Sequence, residues 1–391
     1  MDFTIPEELR LLQQTVRRFI QDELVPLEQT HQGGLSVEEE ARFRRQTRDM
    51  GLFMMHVPEE YGGGGVGTLG MALVYEQTSK TILSAEYLLG IDQPNPAALL
   101  GRGSPEIAEK YLRPAVRGER YWGFAISEAN AGSDPASMET TAVRDGDEWV
   151  LNGTKLWVSR MSVADFVIVF AVTDKTKRAR GGITAFVFDT NTPGFKVVRR
   201  IPTMSETEND RRGPTELVLE NVRIPAYSVL GEVGEGFKLA QGRLGAQRTA
   251  IAARCVGMSE RALDMAIEYA KQRVTFGDAV ANRQGIQWYF ADAAVNIHAA
   301  RLMNYHCAWE WDNGLDVRQE ASIVKLFASE MVSKIIDMAI QVHGGIGYTK
   351  ELPLEWMYRY SRMFRIVEGA SEIHKNVIAR GLLQGKRASL T

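Results

Sequence analysis

A change of hydrophobic period near residue 121, reversed after Gly234, constrains the fold more than any other feature of the 391 residues. Before the change, apolar residues recur at helical spacing. "TIPEELRLLQQTVRRFI" sets Thr4 and Glu7 at capping-box spacing, Pro6 in the first turn, and Leu11, Leu12, Val16, Phe19 and Ile20 along one side. "LSVEEEARFRRQTRDMG", "TLGMALVYEQTSK" and "SPEIAEKYLRPAVRG" repeat the pattern. Between 121 and 230 the period falls to two. "METTAVRDGDEWVLNGTKLWVSR" carries the hairpin signals Asp145-Gly146 and Asn152-Gly153, and "FVIVFAV", "GITAFVFD", "GFKVVRRI" and "TELVLENVRIP" follow as strands. With no helix between them, these strands are expected to pair antiparallel. Segments 236 to 273, 284 to 312 and 317 to 343 then regain the helical period, and a helix after Glu368 adds a fourth. The expected fold is multidomain α+β: an all-α domain over 1–120, an antiparallel β-barrel or sandwich over 121–230, and a four-helix bundle over 231–391.

Composition narrows the function. A net charge of -3 gives no electrostatic footprint for nucleic acid. The start "MDFTIPEELR" lacks an apolar targeting core, and runs such as "FVIVFAV" fall far short of the roughly 20 residues that span a membrane, so a soluble protein is expected. Cys255 and Cys307 lie in helical patterns and read as buried thiols of a reducing compartment. Six scattered histidines show no metal-ligand spacing. "GVGTLG" matches the dinucleotide pattern, but Pro58 to Tyr61 separate it from any strand and no βαβ repeat surrounds it. Ser133 of "NAGSDP" lacks the flanks of a nucleophile elbow. "DKTKRARGG" is a basic hairpin loop, either solvated or suited to phosphates.

One acid is singular. Glu368, in "FRIVEGASEIHK", follows Ile366 and Val367 and precedes Gly369 and an apolar stripe of Ile373, Val377, Leu382 and Leu383. Asp and Glu are ordinary in the first turn of a helix, where free N–H groups welcome negative charge. A carboxylate with apolar neighbours is also a candidate general base, because partial desolvation makes carboxylates better proton acceptors.

Several stretches in this order resemble the acyl-CoA dehydrogenase family of FAD flavoproteins: "PEEYGG", "AISEANAGSD", "NGTKLWVS", "ALDMAIEYAKQRVTFG", "QVHGGIGY" and "RIVEGASEIHKNVIARGLL". The resemblance covers essentially the whole chain and implies FAD as cofactor. It implies that the loop with Phe124, Ala125, Ile126, Ser127, Gly132 and Ser133 edges the flavin ring, with Trp157, Val158 and Ser159 covering its other part. It implies that Arg273, Thr275, Phe276 and Gln284 grip the pyrophosphate and adenosine of FAD bound mainly by a neighbouring subunit. Gln341, Val342, Gly344 and Gly345 belong to a turn with the same role, and Ala370, Ser371 and Glu372 to adenylate contacts. Ser133, Gly245, Gln247, Arg248, Gly369 and Arg380 match positions lining the acyl-CoA channel.

By the same resemblance Glu368 is the catalytic base. It removes the α-proton of an acyl-CoA thioester while a hydride leaves the β-carbon for flavin N5, giving a trans-2-enoyl-CoA. Another branch of the family carries its base immediately before the arginine of the earlier helix, where this chain has Gln247. Ala129-Asn130 replaces the Pro-Gly of many members, and Glu372 a glutamine of some. The resemblance further implies an electron-transfer flavoprotein as acceptor, a homodimer or homotetramer, and a cytoplasmic location, or the mitochondrial matrix for a eukaryotic chain without its transit peptide. The alternatives are a flavin oxidase or monooxygenase of the same fold using O2, and a helical scaffold without cofactor.

Overall fold

The computed structural model describes residues 4–386. They form two compact units, neither continuous in sequence: one holds residues through Ala41, Val66–Leu88 and Leu244 onward, the other Arg42–Gly65 and Leu89–Arg243.

The first unit is helical, built from α1 (Glu7–Arg18), α2 (Thr68–Thr78), α3 (Leu244–Gln272), α4 (Gln284–Asp312), α5 (Arg318–His343) and α6 (Ser371–Leu383). Helix α1 starts at Glu7, two residues later than the Thr4–Glu7 spacing suggests, with Pro6 extended at its N-cap. The expected 236 to 273 helix is two, Gly236–Gly242 and α3, broken at Arg243 between glycines 242 and 245. The inner face of α3 is made of small residues, among them Ala252, Ser259, Ala262, Ala266 and Ala270. Small residues let helices approach closely. The limit is reached at Gly257, where a Cβ would stand 2.0 Å from the main-chain oxygen of Glu76 on α2. Buried acids opposite α3 and α4 are paired: Glu76 accepts from Arg301 at 3.0 Å, Arg301 also reaches Glu260 at 2.9 Å, and Arg254 grips Glu86 through two bonds of 2.7 Å. Arg261 closes on Glu28 in the same way.

The second unit holds the sheet of β1 (Trp122–Ala125), β2 (Thr141–Asp145), β3 (Glu148–Ser159), β4 (Phe166–Val172), β5 (Ile183–Asp189), β6 (Phe195–Arg200), β7 (Pro214–Pro225) and β8 (Val229–Leu230), in the order β6-β7-β3-β2-β4-β5-β8. Strand β1 pairs with β4. The sheet is mixed, which corrects the expectation of uniformly antiparallel pairing. β1 runs parallel to β4 with Trp122 opposite Phe166, and β2 meets β4 in parallel at Thr141 and Val172. The reason is the long loop and β2–β3 hairpin between them, which return the chain to the end at which β1 began. All seven residues of β4 are buried. Phe166, Ile168, Phe170 and Val172 enter one core and Val167, Val169 and Ala171 the other.

Among the described residues no helix is long and apolar enough to cross a membrane. The close seating of α2 on α3 gives a stability test. Gly257→Ala should lose about 2 kcal/mol or more in denaturant unfolding, through overpacking against backbone that cannot move aside. Gly285→Ala, in the first turn of α4 with nothing within 4 Å of where a Cβ would stand, should gain up to about 1 kcal/mol from helix propensity. Equal effects at the two sites would refute this account of the packing.

Candidate functional site

In the sheet-bearing unit, the loop after β1 folds around one carboxylate. Glu128 accepts main-chain N–H bonds from Glu139 at 2.7 Å and Thr140 at 3.1 Å, and a 2.6 Å bond from the ammonium of Lys155 on β3. Both side chains are almost wholly buried. Burial pushes Lys155 down to about 8 against the pull of Glu128. Burial opposes ionisation of Glu128, but the Lys155 ammonium and the backbone donors outweigh it and hold the carboxyl below its usual range. Lys155 also reaches the Ile126 oxygen at 3.3 Å, and Leu156 N–H donates to Ser127 oxygen at 2.9 Å, so the loop is stitched to β3.

That stitching presents the predicted residues. Ala125 and Val158 are buried, whereas Gly132, Ser133, Trp157 and Ser159 are exposed, and Phe124, Ile126 and Ser127 are half-buried. Trp157 has φ +62° and lies where the β3–β7 register shifts between Lys155 and Val158. A bulge re-aims the side chain it carries, and here the indole is turned out, 58% exposed. Glu128 and Lys155 were missed as site-building residues although both lie in the stretches that carry the resemblance. Their signal is a lysine two residues after Gly153, which lies inside β3 at a register shift against β7 and not at the hairpin turn expected of Asn152-Gly153.

In the helical unit, Glu368 stands half-buried on a turn just before α6. Glu368 has φ +53° and Gly369 φ +102°. Beneath them are Arg248 of α3, bonded to Ser322 of α5 at 3.3 Å, and Lys325 of α5, which donates to Gly369 oxygen at 2.6 Å. The ring of His374 on α6 lies close enough that a Cβ on Gly369 would meet its Nε2 at 3.0 Å. Burial, then the charges of Arg248 and Lys325, push this imidazole down to about 3, so it is neutral. The expectation that Ile366 and Val367 shield Glu368 is not met within the chain, since both are exposed. The stripe of α6 is not the buried face either: Ser371, His374 and Gly381 are buried, Ile373 and Val377 half-buried, and Leu382 and Leu383 face out. Gly381 explains this, for a Cβ there would stand 2.0 Å from Gln319 Oε1 of α5, so α6 docks through its small and polar face.

The other predicted residues fall into two groups. Gly245 is buried with its Cβ position 2.1 Å from the Trp311 ring, so packing already accounts for that glycine. Gln247 and Ala370 are half-buried, Glu372 and Arg380 exposed. Ser371 is buried and its hydroxyl donates to Glu330 at 2.7 Å, which leaves its main chain for any ligand. The second group gathers at the far end of the bundle, where Tyr269 of α3 stacks on His343 of α5 with centroids 4.5 Å apart. There β9 (Val274–Thr275) and β10 (Asp278–Ala279) form a hairpin whose turn residues Phe276 and Gly277 both have positive φ. Phe276 is 99% exposed, Arg273, Gln284 and Gln341 are exposed, and Gly344 ends α5 in the left-handed region beside exposed Gly345. Val342 packs into the bundle core, so only its main chain is presented. Arg283, not foreseen, braces the hairpin through Thr275 Oγ1 at 2.6 Å. From Lys325 to His343 is eighteen positions of one helix, about 27 Å at 1.5 Å per residue, so Glu368 and the hairpin are separate sites on the unit.

Each set fits part of a flavin dinucleotide. An outward indole with serine hydroxyls at 127, 133 and 159 suits a planar ring that hydrogen-bonds at its edge. An exposed guanidinium at 273 with open space at Gly344 and Gly345 suits a pyrophosphate. Residues 6–119, 123–222 and 234–383 match the families described as acyl-CoA dehydrogenase N-terminal, middle and C-terminal domains. The (R)-benzylsuccinyl-CoA dehydrogenase of Thauera aromatica is 39% identical over 404 residues, covering 99% of this chain and 98% of that protein. The structure of butyryl-CoA dehydrogenase from Megasphaera elsdenii is similar at TM-score 0.88 and 32% identity, covering 98% of this chain and 100% of that one. The FAD complex of PigA is similar at TM-score 0.88 and 28% identity, covering 98% and 99%.

The neutral His374 sets a pH dependence. An unfolded imidazole binds a proton below about 6.5, whereas the folded one does so only near 3, so its contribution is present above 6.5 and is lost as pH falls toward 3. Between pH 6.5 and 5 this should remove about 2 kcal/mol of unfolding free energy by linkage. His374→Gln should flatten the curve over that window by a similar amount. An unchanged slope in urea titrations across these pH values would show that the imidazole is not held neutral.

Proposed function

The chain belongs to the acyl-CoA dehydrogenase family, and from that premise we propose that Glu368 is the base in FAD-dependent α,β-desaturation of an acyl-CoA thioester to a trans-2-enoyl-CoA. The observation that carries the assignment is the turn itself: a carboxylate on a left-handed residue, followed by glycine, with two cationic side chains beneath. Glu368 takes the α-proton. The N–H of the same residue donates to the thioester oxygen as enolate character develops, which is where preorganised donors act most strongly. Bound FAD supplies the acceptor for the hydride that leaves the β-carbon.

The remaining assignments follow the same reading. Ser127, Ser133, Ser159 and Trp157 hold the ring, with main-chain help from 124 to 126, 132 and 158. Gly245, Gln247, Arg248, Gly369 and Arg380 serve acyl-CoA. Gln247 carries an amide and accepts no proton usefully, which leaves the base role to Glu368. Arg273, Thr275, Phe276, Gln284 and the 341 to 345 turn serve a neighbouring subunit's FAD, and 370 to 372 its adenylate side through main-chain N–H groups. We place electron delivery with an electron-transfer flavoprotein, and the protein in the cytoplasm, in keeping with two buried free thiols. Segments 1–120, 121–230 and 231–391 are read as its three domains.

Glu368→Gln keeps shape and most hydrogen bonding but removes the proton acceptor. FAD and acyl-CoA should still bind, while anaerobic flavin reduction falls by roughly 10² to 10⁴-fold. Rapid reduction of this variant by a good substrate would sink the assignment.

Assembly is the second test. Phe276, Trp288, Tyr289, Val295, Tyr348 and Leu383 are exposed apolar side chains of the helical unit, a surface suited to a partner copy. Sedimentation should find a homodimer or dimer of dimers, and Trp288→Glu should weaken both assembly and FAD retention. A monomer that still holds FAD tightly would contradict the neighbour-subunit role of Arg273 and Gln341.

A further inference from the structure

Lys325 lies on the inner side of α5 with its whole side chain out of solvent. A buried ammonium ordinarily needs a carboxylate at ion-pair distance, and among the described residues it has none. Its one hydrogen bond runs from Nζ to the main-chain oxygen of Gly369. Arg248, Cys255, Glu330 and Glu368 stand within electrostatic reach, and burial pushes the ammonium down to about 8. The fold thus keeps a charge where an apolar side chain of similar length would sit more comfortably.

The bond lands on a short segment between two hydrogen-bonded turns, where the His374 ring also meets the main chain of Glu368 and Gly369. The turn before it closes when Ile366 and Val367 donate to Met363 oxygen, and α6 opens when Ile373 and His374 donate to Ala370 oxygen. Between those anchors are Glu368 at φ +53° and Gly369 at φ +102°. A non-glycine residue in the left-handed region persists only when its surroundings over-determine it. We infer that Lys325 is a positioning residue for Glu368: it grips the Gly369 carbonyl and so holds the strained turn that aims the carboxylate. This rests on the reading of Glu368 as the base.

The test uses the FAD-loaded protein with Lys325→Met, alone and combined with Glu368→Gln. Lys325→Met should retain FAD and melt at the same temperature or higher, because a lone buried charge has been replaced by an apolar chain. Amide exchange in residues 366 to 372 should quicken about tenfold while the rest of the bundle is unchanged. Anaerobic flavin reduction should slow by roughly ten- to hundredfold, as expected for a misplaced reacting group, with the Kd for acyl-CoA changed less than about threefold. Lys325→Gln, which keeps an N–H donor on a shorter arm, should recover part of the rate, and it stands in if the methionine variant fails to fold. In the Glu368→Gln background the added Lys325→Met should slow reduction less than about twofold, since coupled residues are non-additive. Equal slowing in both backgrounds, wild-type reduction by a folded Lys325→Met, or a lower melting temperature with exchange quickened throughout the bundle would each overturn the inference. Fast reduction by Glu368→Gln alone would instead overturn the assignment of the base.

Discussion

The helical unit depends on how closely α3 is seated against α2 and α5. The helix has 29 residues, about 43 Å at the standard rise, and different parts of it serve different needs. Near its start Arg248 ties to Ser322, in its middle Gly257 lies against the Glu76 carbonyl, and near its end Tyr269 stacks on His343. Small side chains set the spacing between helices but leave them free to slide along each other. The ion pairs of Arg254, Arg261 and Arg301 with Glu86, Glu28 and Glu76 remove that freedom. Register along α3 therefore fixes both Arg248 beneath Glu368 and the hairpin that begins after Gln272.

Local backbone strain falls on the candidate site more often than chance placement would suggest. Among the described residues, seven other than glycine have positive φ, and Trp157, Phe276 and Glu368 are three of them. Each projects a side chain from an element that would otherwise run on smoothly: a strand for Trp157, a hairpin for Phe276, the start of a helix for Glu368. Strain of this kind must be held from outside. For Trp157 the holder is the β3–β7 ladder, where Thr215 Oγ1 donates to Val158 oxygen at 2.8 Å. For Phe276 it is Arg283, bonded to Thr275 and stacked over the ring at 5.5 Å.

Helices α4 and α5 were legible almost to the residue because their apolar spacing is uninterrupted and Gly and Asn close them. The β2–β3 hairpin was legible from Asp145-Gly146, whereas Asn152-Gly153 marks a register shift inside β3 and no turn. The pairing of β1 with β4 was not legible, because it joins residues 44 positions apart that no local pattern connects. Glu368 was recognised by its setting among known motifs, but the exposure of Ile366 and Val367 was hidden, since apolar character does not say which way a side chain turns. The docking face of α6 was hidden for a related reason: Ser371, His374 and Gly381 look like the polar side of a helix until Gln319 is seen to fill the space a larger residue would need. Nothing in the local sequence marks Lys155 and Lys325 as buried, and only three-dimensional placement reveals it.

Strand β4 has a consequence of a different kind. Its seven apolar residues, Phe166 to Val172, feed two cores at once and stay dry only when both are closed. During synthesis β5 and the part of the second core from Phe186 to Ile224 emerge after it, so the segment must wait exposed. Short β-prone stretches without charge or proline are the ones that associate between chains in that interval. Asp165 at one end and Asp174 shortly past the other supply charges that discourage such stacking. The yield of correctly folded protein at high expression should therefore be governed by how fast this one strand is covered, well before any ligand has a place to bind.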